Sequence, residues 1–185
     1  FVLSGHTMPV SAIAVTPDRQ RIVSGSSDCT LRIWSLITGK CEHVLEGHSD
    51  GVGVIVVLPD GHRAISASGD HTLRLWNLDS GTCEVIYTGH TDAVLCLALQ
   101  PESGRIVSGS ADRSIRVWEI ETGQCEETCI GHTGSVVALT VTRDSKRIVS
   151  GSGDCTLRVW SIGDGRCERI LAGHSEIVLT LIQTL

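Results

Sequence analysis

The sequence predicts an all-β fold made of four-stranded antiparallel sheets that recur along the chain. Two observations carry this prediction. Gly-His pairs recur every 42 residues, beginning with Gly5-His6 and Gly47-His48, and the four tryptophans keep the same step. The chain lacks the i, i+3 and i+4 spacing of apolar residues that an amphipathic helix shows, and instead has short β-branched runs separated by clusters of Gly, Pro, Asp and Ser. A period of about 20–50 residues decides the architecture before any local feature does.

Each repeat yields four predicted strands in the same order. The first strand follows the Gly-His pair and carries large apolar residues at i, i+3 and i+5, which predicts a β-bulge near its start. A turn then leads to the second strand, which ends in Ser-Gly-Ser or Ser-Ala-Ser. The third strand ends in Trp, and a turn with a positive-φ glycine leads to the fourth. In the second repeat the strands are predicted at residues 52–58, 63–68 and 72–76, followed by one that begins at Cys83.

Both faces of the third strand are expected to be covered. In the second repeat Leu73 and Leu75 point to one side, and Arg74 and Trp76 to the other. Sheets covered on both faces, repeated at a fixed period and joined by hairpins, predict a β-propeller of four-stranded antiparallel blades.

The repeat divides the 185 residues into four full units and two partial ends. The full units are predicted at residues 5–46, 47–88, 89–130 and 131–172. Residues 173–185 are expected to form a partial fifth unit, and residues 1–4 the last strand of a preceding one. The sequence therefore predicts an incomplete arc of a larger ring, because exposed sheet ends would otherwise associate.

Composition narrows the class of function. A net charge of −6 predicts no nucleic-acid partner, and no apolar run is long enough for a membrane span. The eight cysteines include repeat-equivalent positions that should lie too far apart for disulfides, and no C-x-x-C motif occurs. We expect reduced thiols that mostly fill small core spaces, which indicates a reducing, cytoplasmic location.

The sequence resembles the WD-repeat family of β-propellers over essentially its whole length. The motifs that carry the resemblance are Gly-His, a bulged strand, a Pro-Asp-Gly-like turn, a small Ser segment, an Asp, and a strand that ends in Trp. The Asp that follows Trp in the family pattern is replaced here by Ser35, Asn77, Glu119 and Ser161, at a position that varies in the family.

The resemblance implies a buried hydrogen-bond network of His, Ser, Asp and Trp in each blade. A closed network is chemically coherent, because indole N–H only donates, carboxylate only accepts, and hydroxyl and imidazole do both. The implied sets are His6, Ser24, Asp28 and Trp34; His48, Ser66, Asp70 and Trp76; His90, Ser108, Asp112 and Trp118; and His132, Ser150, Asp154 and Trp160.

These residues do not predict an enzyme. Ser, His and Asp recur in every unit, no G-x-S-x-G elbow is present, and a buried network leaves no room for substrate, so no catalytic residue is predicted. The repeat histidines lie in separate blades and cannot converge on one ion, so neither metal nor cofactor is predicted.

One arginine precedes each Trp by two residues, and we expect it to stack or ion-pair within the sheets rather than bind phosphate. These arginines are Arg32, Arg74, Arg116 and Arg158. The candidate ion-pair partners in the adjoining strand are Glu42, Glu84, Glu126 and Glu168.

The resemblance also implies where partners bind. In WD-repeat propellers they often dock on the face that carries the Gly-His loop and the turn before the third strand, at positions three and five residues after His. Those positions here are small or apolar: Pro9, Ser11, Gly51, Gly53, Ala93, Leu95, Ser135, Val137, Ile177 and Leu179. The more distinctive residues near this face, which we predict to bind partners, are Met8, Asp50, His71, Asp92, Leu95 and Arg113.

The sequence therefore predicts a non-enzymatic protein–protein interaction scaffold or sensor. The uniform units are similar in style to the WD arrays of NACHT-type signalling ATPases, where the array acts as a sensor or autoinhibitory lid. Two alternatives stay open: a substrate-recognition adaptor of a ubiquitin ligase, whose basic pocket the contact positions lack, and a purely structural part of a larger propeller. The expected partners are other proteins or peptides, and the missing blades are supplied by the rest of a longer chain or by self-association.

Overall fold

A computed structural model describes residues 2–100 and 103–179 of the chain. The described residues form sixteen β-strands in four antiparallel sheets of four strands each, with no helix among them, which confirms the all-β fold class. The strands are β1 (Val10–Val15), β2 (Arg21–Ser26), β3 (Leu31–Ser35), β4 (Cys41–Leu45), β5 (Val52–Val57), β6 (Arg63–Ser68), β7 (Leu73–Asn77), β8 (Thr82–Tyr87), β9 (Val94–Gln100), β10 (Arg105–Ser110), β11 (Ser114–Glu119), β12 (Cys125–Ile130), β13 (Val136–Val141), β14 (Arg147–Ser152), β15 (Leu157–Ser161) and β16 (Cys167–Leu171).

The chain forms two compact units, and the first, Phe1–Thr88, contains the sheets β1–β4 and β5–β8. Strand β5 packs against β1 and β2, so that Val52 and Ile55 join the core formed by Val23 and its neighbours. The close approach explains the glycine of Ser-Gly-Ser, because a Cβ atom on Gly25 would lie 2.7 Å from Cγ1 of Val52.

The second unit, Gly89–Leu185, contains the sheets β9–β12 and β13–β16 and repeats this packing. Strand β13 lies against β9 and β10, and Val136 and Leu139 enter a core that includes Val107 and Ile115. A Cβ atom on Gly109 would lie 2.6 Å from Cγ1 of Val136. The same small-residue segment therefore allows the same sheet-on-sheet contact in each unit.

Two local features of the strands follow the sequence prediction. The pairing register between the first and second strands shifts near the start of all four first strands, which confirms the β-bulge. The bulged residues are Ser11, Gly53, Leu95 and Val137. The glycines in the turns between the third and fourth strands have φ between 63° and 72°, as predicted. They are Gly39, Gly81, Gly123 and Gly165.

One sheet face of the first unit is left exposed. In β1, Val10, Ile13 and Val15 are 48%, 67% and 49% exposed, whereas the repeat-equivalent Val52 in β5 is fully buried. Residues 2–4, predicted as the last strand of a preceding unit, form no strand, and neither do residues 173–179 of the predicted partial unit 173–185. Residue 1 and residues 180–185 lie outside the described residues.

All eight cysteines are free thiols, as predicted. Their predicted burial is right for Cys96 and Cys129 and wrong for the other six, which are half-buried. The physical reason is their place in the repeat. Cys29 and Cys155 stand in turns, and the remaining four lie at the start of the outer strand of each sheet.

Candidate functional site

Each sheet contains one hydrogen-bond network with the same geometry. In the second sheet, Nδ1 of His48 lies 2.8 Å from Oδ2 of Asp70, and Nε2 of His48 lies 2.7 Å from Oγ of Ser66. The indole N–H of Trp76 donates to the same Ser66 oxygen at 2.8 Å. The corresponding distances in the other three sheets are 2.7–2.9 Å. The structure therefore brings together all four sets of residues that the family pattern implies.

The chemistry of these atoms fixes the direction of every bond. A carboxylate only accepts, so Nδ1 of His48 donates to Asp70, and Nε2 of the neutral ring is left as an acceptor. The Ser66 hydroxyl therefore donates to His48 and accepts from Trp76. Burial keeps the ring neutral, because it lowers the pKa of His48 more than the hydrogen bond to Asp70 raises it. The direction of each hydrogen bond in this network is thus defined.

The aspartate is the most highly coordinated member of the network. Its Oδ2 also accepts from the backbone N–H of Ser49, and its Oδ1 accepts from the hydroxyl and the N–H of Thr72. Burial acts to raise the pKa of Asp70, and these hydrogen bonds outweigh it and lower the pKa to about 2. Asp70 is therefore ionised and saturated with donors.

A fifth member of each network was missed by the sequence reasoning. Thr72 stands two residues after Asp70, and its hydroxyl lies 2.7 Å from Oδ1 of that carboxylate. The signal was available, since a Ser or Thr two residues after Asp fits an Asx-type turn. The equivalent residues in the other sheets are Thr30, Ser114 and Thr156.

A second serine connects the network to the Gly-His loop. The Ser68 hydroxyl donates to the backbone oxygen of Asp50 at 2.8 Å and accepts from the N–H of Asp70 at 3.1 Å. The last serine of the second strand bonds in the same way to the oxygens of Met8, Asp92 and Gly134 in the other sheets. The loop backbone at three of the predicted partner-binding residues is therefore held in place from within the sheet.

The glycine of the second Gly-His pair is required by its backbone conformation and packs against the arginine two residues before Trp. A Cβ atom on Gly47 would lie 2.7 Å from Nη1 of Arg74, and the backbone there adopts φ of 149°. Nη1 of Arg74 lies 3.9 Å from Sγ of Cys83. In the third sheet the guanidinium of Arg116 lies 5.8 Å from the ring centroid of Trp118, at cation–π distance. Arg32, Arg116 and Arg158 therefore stack on the Trp of their own sheets, one of the two roles that the sequence predicted.

The sequence left open whether these arginines pair with the glutamates of the fourth strand, and in the described part of the chain none of them does. Across β11 and β12, Arg116 faces Thr128, while Glu126 is the extra residue of a second bulge in that pairing. Glu126 instead pairs with Nε of Arg105 at 2.5 Å, and the fourth sheet has an equivalent pair. The bulge explains the difference, because it turns the glutamate toward the second strand.

The predicted partner-binding residues lie where the first strands begin and where the second strands turn into the third. In the first unit, Met8, Asp50 and His71 are exposed. In the second unit, Asp92 and Arg113 are exposed, and Leu95 is half-buried at its bulge.

The residue immediately before the Ser or Thr that forms the fifth member of each network has a left-handed backbone. His71 and Arg113 adopt φ of 69° and 71°, and Cys29 and Cys155 at the same repeat position adopt 68° and 63°. Non-glycine residues seldom adopt this conformation, and it is often found at functional sites. The repeat thus presents a different side chain from one fixed turn in the first three sheets.

The fold and these networks define a class of protein. A family model described as WD domain, G-beta repeat matches residues 1–35, 39–77, 81–119 and 123–161. The chain belongs to the WD-repeat family, whose propellers are generally non-enzymatic scaffolds that bind other proteins.

Individual proteins resemble the chain to different extents. Ribosome biogenesis protein bop1 of Danio rerio is 48% identical over 41 residues, which cover 22% of this chain and 5% of that protein. The BOP1 homolog of Caenorhabditis elegans is 48% identical over 42 residues, which cover 22% of this chain and 6% of that protein. The solved structure of U3-55K superposes with a TM-score of 0.85 and 32% identity, over 96% of this chain and 56% of that one. Among the described residues, no helix has the length and apolar character to cross a membrane.

Proposed function

We propose that this chain is a non-catalytic protein-interaction scaffold whose partners bind at the ends of the sheets that carry the Gly-His loops. The residues proposed to contact partners are Met8, Asp50, His71, Asp92, Leu95 and Arg113. One observation carries the proposal: the backbone at this end is fixed by repeated internal hydrogen bonds, while the exposed side chains differ from repeat to repeat. Rigid loops that present variable side chains are typical of binding surfaces.

Cross-linking from single positions tests this proposal. A photoreactive amino acid replaces Asp50, which is exposed beside the Gly-His loop, or Ser80, which is exposed in the turn at the opposite end of the same sheet. We expect defined adducts with other proteins from position 50, which an excess of this chain without the photoreactive residue abolishes, and no adducts from position 80. The same adducts from both positions, or none from either, would refute the proposed surface.

We also propose that further WD repeats cover the exposed face of β1, supplied by the rest of a longer chain or by self-association. Val10 and Ile13 are exposed, while their equivalents Val52 and Ile55 are buried against a neighbouring sheet. The length of U3-55K, of which this chain covers 56%, supports supply by a longer chain. Sedimentation of the wild type and of Ile13→Glu separates the two sources. A mass that falls to that of a monomer in the variant supports self-association, and a monomeric wild type rules it out.

The specific biological role, the class of partner and the cellular location are supported to different extents. The relatives named as ribosome biogenesis proteins match the length of one repeat, which supports a role in a protein assembly without naming a partner. No described contact favours the regulatory array of a NACHT-type protein or a ubiquitin-ligase adaptor. The net charge of −6 supports proteins rather than nucleic acid as partners, and the eight free thiols support a reducing, cytoplasmic location.

A further inference from the structure

The turn between β10 and β11 carries an exposed arginine, Arg113. Arg113 is exposed, and within the described residues its guanidinium makes no hydrogen bond or ion pair. The adjacent Asp112 is already saturated, because its carboxylate accepts from His90, from the N–H of Thr91, and from both the N–H and the hydroxyl of Ser114. The N–H donors of Arg113 are therefore free to bind an external anion, although the ionised Asp112 lines the same cavity.

A large aliphatic side chain lies beside this charge. Ile130, at the end of β12, is 78% exposed and pairs with Ser114, the residue that follows Arg113. The residues that stand at the Ile130 position in the other repeats are Glu46, Thr88 and Ala172, and those at the Arg113 position are Cys29, His71 and Cys155. The third repeat alone therefore combines an arginine with a large aliphatic side chain at these two positions.

The two side chains border a cavity of about 330 Å³. Its lining residues are Asp112, Arg113, Ser114, Ile130, His132 and Thr133. Arg113 is the cation among them, since His132 is buried and its Nδ1 and Nε2 are both engaged with Asp154 and Ser150. The cavity is at the small end of the range for ligand sites, which suits one or two amino-acid side chains.

We propose that this cavity binds an extended peptide segment of a partner protein in which Asp or Glu adjoins a branched aliphatic residue. The inference rests on the scaffold function proposed above and adds the chemistry of the partner. The carboxylate accepts paired N–H bonds from Arg113, and the aliphatic side chain packs on Ile130. A carboxylate suits the site better than a phosphate, because phosphate recognition generally uses clusters of arginines.

Binding of short blocked peptides tests the inference. The probe is Gly-Ser-Glu-Ile-Ser-Gly, compared with peptides that carry Gln in place of Glu, Ser in place of Ile, or phosphoserine in place of Glu. Each is titrated into the ¹⁵N-labelled full chain. We expect the Glu-Ile peptide to shift the amides of Arg113, Ser114 and Thr133. We also expect it to bind about three- to fivefold more tightly than the Gln-Ile peptide, the effect of one exposed charged pair.

Two variants assign the contributions. Arg113→Asn preserves the turn, because Asn tolerates positive φ, and should abolish discrimination between the Glu and Gln peptides. Ile130→Thr introduces the residue that the second repeat carries as Thr88, and should weaken both peptides several-fold while discrimination survives. Unfolding curves that match the wild type show that both variants are folded.

Several outcomes would overturn the inference. These are equal binding of the Glu and Gln peptides, discrimination that persists in Arg113→Asn, tighter binding of the phosphoserine peptide, and no shift at these amides at several millimolar peptide. If the peptides fail while cross-links from position 50 persist, the ligand class is wrong and the scaffold function stands. If those cross-links are absent as well, the scaffold function fails with it.

Discussion

Ser66 offers a direct measurement of what the internal network contributes to stability. Replacing it with Ala removes the hydroxyl that donates to Nε2 of His48 and accepts from the indole N–H of Trp76. His48 and Trp76 are both buried, with exposures of 6% and 1%, so water does not readily replace the lost partner. Each orphaned buried group costs about 1–3 kcal/mol, and the two together give an expected destabilisation of roughly 2–6 kcal/mol.

Urea denaturation followed by tryptophan fluorescence measures this change, with a constant m-value as the check on cooperative unfolding. The matched control is Ser49→Ala, because Ser49 is exposed and contributes its backbone N–H to Asp70 rather than its hydroxyl. The control should change the free energy of unfolding by less than about 0.5 kcal/mol. A loss below about 1 kcal/mol in Ser66→Ala would show that the network is not satisfied in the way the distances indicate.

Three further predictions concern pH, glycine and thiol chemistry. Stability should fall on acidification below pH 6.5, because burial lowers the pKa of His48 in the folded protein and the unfolded chain therefore binds the proton more readily. It should fall again as pH drops from 3.8 toward 2, because the pKa of Asp70 is lowered to about 2 in the folded protein. Rising stability over either range in a series of urea denaturations at different pH would contradict this. Gly47→Ala should cost about 1 kcal/mol or more, because φ is 149° and the methyl group meets Arg74, whereas Gly53→Ala, with open space at its Cβ position, should cost less in thermal unfolding. Cys96 should resist iodoacetamide in the native protein, since burial raises its pKa to about 12, and mass spectrometry that finds it alkylated before the half-buried thiols would contradict this.

The sequence predicted the repeating part of this molecule well, because the repeat tests each inference four times. The fold class, the bulged first strands and the positive-φ turn glycines followed from spacing and residue type. The second bulge at Glu126 was missed, since no apolar pattern on the exposed outer strand indicates it. The role of Gly47 was also missed, because the contact with Arg74 depends on how the third strand lies beneath the loop.

The candidate binding residues were less predictable. Their position followed from resemblance, but their chemistry depends on which neighbours they have in space. Exposed Ile130 lines the same cavity as Arg113 because it pairs with Ser114, and the sequence did not fix this register between β11 and β12.

The left-handed turn before each third strand separates two demands on the chain. Its backbone is fixed by bonds to Asp112 and its counterparts, so the side chain at the turn contributes little to holding the sheet together. A thiol, an imidazole and a guanidinium occupy it here with φ between 63° and 71°. Under the proposed function, a single substitution at this position in one repeat would change the recognition surface with little effect on how the sheet folds.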